Sequence, residues 1–136
     1  VQTFLPHPSF EESAAILDYR RLGKQRVEAM QILNILLEKT TKTGWANHPA
    51  VKMWRGHERA LGAYMNAMIR EWVKRGYNNT MPPFAHKDSI FSTPAWLGDE
   101  AFHASHRSNL LRKDPVYYGK FGWKEPSDLP YIWPVG

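Results

Sequence analysis

Trp54-Arg55-Gly56-His57-Glu58-Arg59-Ala60-Leu61-Gly62-Ala63-Tyr64-Met65-Asn66-Ala67-Met68-Ile69-Arg70-Glu71-Trp72 sets Trp54, Leu61, Met65, Met68 and Trp72 at helical spacing. Recurrence of that kind puts the five side chains on one face, an apolar stripe that reads as core. Pro49 upstream suits the first turn of a helix, because it lacks the N–H that such a turn leaves unpaired. Gly76, directly after Lys74-Arg75, is a C-terminal stop. The pattern predicts one helix from Pro49 to about Arg75.

Toward the amino terminus, Ser9 is a good N-cap, and Glu11 and Glu12 fall in the first turn, where they favour the helix dipole. A helix starting there can run through Ala14, Ala15, Ile16 and Leu17 to Val27, Met30, Ile32, Leu33, Leu36 and Leu37. It fades at Thr40-Thr41-Lys42-Thr43-Gly44, which is poor in helix formers. Gly23 inside it costs about 1 kcal/mol relative to alanine, so it either kinks the helix or admits another backbone. Beyond the central helix, residues 78–94 read as loop, with Asn78-Asn79, Pro82-Pro83 and Ser92-Thr93-Pro94. A third helix runs from about Asp99 to Lys113, capped by Gly98 or Asp99, with Pro115 just past its end. The tail from Tyr117 to Trp133 alternates aromatics with Gly, Pro and Lys, too irregular for a long element. The expected fold is all-α: one domain over residues 1–136, a bundle of three main helices with an ordered aromatic-rich tail packed across it.

Composition narrows the function classes. The 136 residues carry a net charge of +5 and include six Trp, six Tyr and six Phe, which suits a folded globule with a polyanionic partner. Without cysteine, disulfides, thiolate metal sites and cysteine nucleophiles are excluded. No stretch approaches the ~20 apolar residues of a membrane span, and residues 2–10 show no signal-peptide pattern. A cytoplasmic, nucleoid-associated protein without a membrane partner is expected.

Chemistry-bearing residues fall into three groups. Val1 is small enough for a preceding initiator methionine to be trimmed, which leaves a free α-amine. Such an amine has a pKa of ~7.7–8.0, against ~10.4 for lysine, and its uncharged fraction can form a Schiff base with a sugar carbon. The other reading of Val1 is simply the first residue of the chain as given. Second, Arg20, Arg21, Lys24 and Arg26 lie within seven residues of a helix, and Arg21, Lys24, Gln25 and Glu28 share one face. Guanidinium forks on one face can clamp a phosphate backbone, or the run is a solvated surface. Third, Arg107, Arg112, Lys113, Lys120 and Lys124 are interleaved with His103, His106, Tyr117, Tyr118, Phe121 and Trp123. Rings among cations stack on unpaired bases or wedge into a duplex; the same rings can close a small core. His103 and His106 have helical metal-ligand spacing, with only Asp99 and Glu100 as local companions.

Tyr19-Arg20-Arg21-Leu22, Glu71-Trp72-Val73-Lys74-Arg75-Gly76-Tyr77 and Tyr117-Tyr118-Gly119-Lys120 occur in the order and spacing of a known family. The chain resembles the phage-type pyrimidine-dimer DNA glycosylase/AP lyase family. It is closer still to an actinobacterial-type branch marked by Arg21-Leu22-Gly23-Lys24-Gln25-Arg26-Val27-Glu28 and Asn47-His48-Pro49-Ala50-Val51. The resemblance implies an all-α monomer that kinks damaged or modified double-stranded DNA and flips a base. The α-amine then attacks the sugar C1′, the base departs, and β-elimination cuts the strand, with no cofactor or metal. Val1 matches the nucleophilic terminus in position, although threonine is usual there. Arg20 matches a phosphate-binding arginine, and Tyr117, Tyr118 and Lys120 match the DNA-contacting tail. The expected DNA-binding set is Gln2, Arg20, Arg21, Lys24, Gln25, Arg107, Arg112, Lys113, Tyr117, Tyr118 and Lys120.

One position departs from the family pattern. Its catalytic glutamate directly follows the Tyr-Arg pair, and here that place is Arg21. An imine mechanism needs a carboxylate to stabilise positive charge at the sugar and to move protons. Asp18 lies one turn before Arg21 and Glu28 two turns after it. Glu28 is the expected catalytic partner of Val1. The competing readings are a non-enzymatic binder of distorted or modified DNA and a glycosylase for another modified base.

Overall fold

Leu17 and Asp18 break the first predicted helix in two. The computed structural model describes residues 2–40, 44, 46–84 and 93–134. Within these, α1 spans Phe10–Ile16, and the Ser9 hydroxyl accepts the Glu12 N–H at 3.1 Å as its cap. Leu17 then turns extended (ψ 141°) with its side chain fully buried. Asp18 is also extended and caps a new helix, α2 (Tyr19–Leu36), by accepting the Arg21 N–H at 3.4 Å. A short polar side chain that pairs with the backbone two or three residues ahead competes with helix continuation, and here it wins.

The second predicted helix is also divided. α3 is the single turn Pro49–Lys52, capped by His48 Nδ1, which accepts the Ala50 N–H at 3.0 Å. Gly56 takes a positive φ of 84°, and α4 begins at Glu58 and runs to Lys74. α5 (Glu100–Lys113) follows its prediction closely, with Asp99 as cap. Pro115 ends nothing permanently: Asp114 caps a further short helix, α6 (Pro115–Gly119), accepting the Tyr117 N–H at 3.1 Å. The three long helices are therefore α2, α4 and α5, and no strand occurs among the described residues. Part of the expected 78–94 loop (85–92) and residues 41–43 lie outside the described residues. No helix among the described residues is long and apolar enough to cross a membrane.

α2 packs along α4, and α1 lies on α4 as well. Leu22, Ile32 and Leu33 of α2 meet Leu61, Met65 and Met68 of α4 in the buried cluster, with Trp54 at zero exposure. Trp72 is only partly buried. A Cβ on Gly23 would sit 2.8 Å from the Trp72 ring, so the glycine admits a side chain of α4 and not another backbone. α5 differs in kind: His103, Ser105, His106, Arg107, Ser108 and Asn109 are all buried on it. Their polar atoms hold irregular chain. Asn109 Nδ2 donates to the Leu129 carbonyl (3.1 Å), and Ser108 Oγ accepts the Leu129 N–H (3.0 Å). Ser105 Oγ accepts the Ile132 N–H at 3.3 Å. Those bonds fix the tail across the bundle in place of secondary structure.

Candidate active site

Residues 2–8 precede α1 with no regular structure, yet most of the segment is buried. A buried backbone must find partners, and here side chains supply them. The Phe4 N–H donates to Gln25 Oε1 at 2.8 Å, and the Tyr64 hydroxyl sits 2.9 Å from the Phe4 carbonyl. Leu5 is held from both sides by α5, its N–H donating to His106 Nδ1 (2.8 Å) and its carbonyl facing His103 Nδ1 (2.7 Å). The Pro6 carbonyl accepts from Arg107 Nη1 at 2.7 Å, and Ser13 Oγ bonds both the N–H and the carbonyl of His7. Trp54 Nε1 donates to Thr3 Oγ1 at 3.0 Å. At the near end of this segment the Gln2 backbone N–H donates to Glu28 Oε2 at 3.2 Å.

Glu28 lines a cleft of about 900 Å³ bounded by the amino-terminal segment, the first half of α2 and the α5–α6 corner. Its carboxylate is 9% exposed by residue; Oε2 also accepts from Gln25 Nε2 at 3.1 Å, and Lys24 Nζ stands 3.8 Å from Oε1. Arg20, Arg21, Lys24 and Lys113 bring positive charge to the cleft, and Phe4, Tyr19, Tyr117 and Tyr131 bring rings. Burial pushes the Tyr131 hydroxyl above its ordinary pKa, with the charges of Arg112 and Arg21 opposing. Tyr117 is raised for the same reason, against Arg75. Aromatic walls with a cationic rim suit a flat, apolar-faced group attached to phosphates.

Asp18, the other candidate carboxylate, also borders the cleft but is committed elsewhere. It caps α2, pairs with Arg21 Nη1 at 3.1 Å, and accepts the buried Tyr118 hydroxyl on Oδ1. Burial raises its pKa, but the bonds from Tyr118 and Arg21 outweigh that and hold it below the ordinary aspartate value.

Several residues expected at the DNA surface have other places. Arg107 is 7% exposed and bonded to Glu100, Glu125 and Pro6, so it is an internal clasp. Tyr118 is fully buried; its hydroxyl receives the Asp18 N–H (3.1 Å) while donating to the Asp18 carboxylate. A ring enclosed in that way cannot stack on a base. Gln25 spends its carbonyl on Phe4 and Tyr64 and donates from its amide nitrogen to Glu28, and at 1% exposure it is out of reach of a phosphate. Arg112 is exposed, bonded to the Ser127 carbonyl of the tail and to Asn109 of its own helix, and does not line the cleft. Gln2 lines the cleft but is buried. Lys120 is exposed, with Nζ 4.0 Å from the Tyr117 ring centre, next to the cleft wall. Arg26 turns away and lies 4.4 Å from the Trp72 ring centre. Val1 lies outside the described residues.

His103 and His106 hold the Leu5 backbone instead of a metal, and among the described residues no cluster of His, Asp and Glu is grouped to bind one. His103 Nε2 accepts the Gly98 N–H at 2.9 Å, so Nδ1 carries its proton and donates to Leu5. Burial pulls the His106 pKa down to about 3, with His103 beside it adding to the effect. Sequence reasoning did not find these two as a backbone clamp, nor Phe4 and Tyr131 as cleft walls. All four depend on contacts across the fold, which helical spacing cannot signal.

Searches of curated proteins and of solved structures returned no match. A family model described as pyrimidine dimer DNA glycosylase matches residues 1–83, the stretch that holds the amino-terminal segment, Glu28 and α1 through α4. With more than half of its length matched, the chain belongs to the pyrimidine dimer DNA glycosylase family, enzymes of DNA repair.

Proposed function

We propose that the protein is a monomeric glycosylase and AP lyase for pyrimidine dimers in double-stranded DNA, with the α-amine of Val1 as nucleophile and Glu28 as its carboxylate partner. The observation that carries this reading is the 3.2 Å bond from the Gln2 N–H to Glu28 Oε2. One residue of backbone spans at most ~3.6 Å, so an amine at Val1 acts in the immediate surroundings of that carboxylate.

The chemistry then follows in order. The uncharged amine bonds to C1′ as the C1′–base bond breaks, and the departing base takes up a proton. The ring oxygen next leaves C1′, also protonated, while the nitrogen lone pair forms the C=N bond. Removal of a C2′ proton expels the 3′ phosphate and cuts the strand. Glu28 stabilises the cationic sugar and iminium and relays the protons, the work that the family pattern gives to the position held here by Arg21. Arg20, Arg21, Lys24 and Lys113 hold the backbone phosphates. The tyrosines of the cleft wall pack on the extruded nucleotide.

Untagged protein, its terminus verified by intact mass, is incubated with irradiated, abasic and undamaged duplexes and treated with borohydride. An adduct on irradiated and abasic DNA that maps to Val1 supports the reading. Equal trapping by protein with an acetylated terminus, or no adduct on any duplex despite tight binding, would overturn it. The second outcome would leave a binder of distorted DNA.

A further inference from the structure

We infer that His103 and His106 are positioning residues for the amino-terminal nucleophile, acting as a neutral, two-sided clamp on the Leu5 peptide. The inference rests on the proposed function and adds residues from α5, outside the stretch that the family model matches.

The geometry is specific to the pair. Two side chains three residues apart on a helix project from one face, and this face takes the N–H of Leu5 on one ring and its carbonyl on the other, at 2.8 and 2.7 Å. Both rings are fully buried, and Gly98 fixes the orientation of His103 through Nε2. Residues 2–5 have no strand partner, so nothing in a hydrogen-bonded ladder sets their register. A slip of one residue along an extended chain moves every atom by ~3.3 Å. That would carry the terminus from Glu28 altogether. The anchors nearer the terminus, Gln25 on Phe4 and Glu28 on Gln2, belong to the cleft itself. The α5 clamp lies behind the cleft wall: neither histidine lines the cleft, and the His106 ring meets Phe4 and Tyr131 edge-on with centroids 6.0 and 5.9 Å away. Its effect on reaction comes through the position of the amine, and misplacement by ~1 Å can cost on the order of 100-fold in rate.

The test compares His106→Asn with His106→Gln. Asparagine carries its acceptor oxygen where Nδ1 stands in histidine, whereas glutamine carries it near Nε2, so only the first can accept the Leu5 N–H in place. Single-turnover borohydride trapping on an abasic duplex reads the amine; fluorescence anisotropy on a duplex with a non-reactive tetrahydrofuran site reads binding. Expected is trapping by His106→Gln slowed roughly 10- to 100-fold with Kd unchanged, and His106→Asn within a few-fold of wild type in both. Wild-type trapping by His106→Gln would overturn the inference, as would equal loss in the two variants. Amide hydrogen exchange at Leu5 covers the case of a poorly folded glutamine variant: protection in His106→Asn equal to wild type is expected, and its absence with full trapping overturns the clamp. Failure of wild-type protein to trap at all would overturn the proposed function itself, and is thereby distinct from failure of the clamp.

Discussion

Gln2 and Glu28, twenty-six positions apart, are joined by a hydrogen bond of 3.2 Å from the backbone N–H of the first to the carboxylate of the second. The contact links an irregular segment to α2 two turns beyond Arg21. The fold thereby places a carboxylate of α2 against the amino-terminal segment.

Glu28→Gln keeps an oxygen to accept from Gln2 and Gln25 and removes the negative charge. Excision and trapping are expected to fall by roughly 10²–10⁴-fold, while affinity for a dimer-bearing duplex stays constant or rises as Lys24 loses its acidic neighbour. Single-turnover cleavage beside anisotropy measures both. Asp18→Asn should instead lower stability through its cap and its pairing with Arg21, with little change in the rate of the folded protein.

Arg20→Ala and Arg107→Ala should separate cleanly. Arg20 is exposed at the cleft, so its loss is expected to weaken binding and to reduce the slope of log K against log salt by about 1, with the melting curve unmoved. Arg107 is buried between Glu125 and the Pro6 carbonyl with exposed Glu100 at its outer edge, and removing it leaves the Pro6 carbonyl and the partly buried Glu125 without their donor at a cost of roughly 1–3 kcal/mol. Its salt slope should match wild type. Denaturant melts and salt titrations decide.

Acid should destabilise the fold well above the carboxylate range. His106 has a folded pKa of about 3 against an ordinary 6.5, so the unfolded chain binds a proton that the folded chain refuses. The stabilisation is complete above ~6.5 and is lost as pH falls toward about 3, with a slope of about 1.4 kcal/mol per pH unit from this one group. His103, also lowered by burial, adds in the same direction. Chemical melts from pH 7 to 4 should show the decline, and His106→Asn should flatten it.

Gly23→Ala puts a Cβ 2.8 Å from a Trp72 ring that cannot easily yield, because Tyr77 stacks on it, Arg26 covers it, and its Nε1 donates to the Asn78 carbonyl at 2.7 Å. A helix-propensity gain of about 1 kcal/mol is opposed by an overpacking cost of roughly 1–3 kcal/mol, for an expected net loss of about 1 kcal/mol. In a Trp72→Leu background the same substitution should become neutral or stabilising. A double-mutant cycle by thermal melts tests the coupling.

The sequence by itself determined the all-α class, the approximate places of the three long helices, the cap at Ser9, a cap for α5 at Gly98 or Asp99, and a basic face on α2 that includes Glu28. These are local matters: apolar period, capping chemistry and charge spacing act within a few residues. It did not show the breaks: the first helix reads as continuous from Ser9 to Leu37, and Asp18 is as plausible inside a helix as at its cap until Tyr118, one hundred positions away, takes its carboxylate. Only the tertiary structure decided which basic residues face the cleft and which, like Arg107, tie the core together. Only it turned two histidines with metal-ligand spacing into backbone anchors for Leu5. Burial of an unpartnered polar group costs ~1–3 kcal/mol, so an irregular segment threaded through a core recruits whatever donors and acceptors the packed helices present. That choice is made by three-dimensional proximity, which no spacing along the chain encodes.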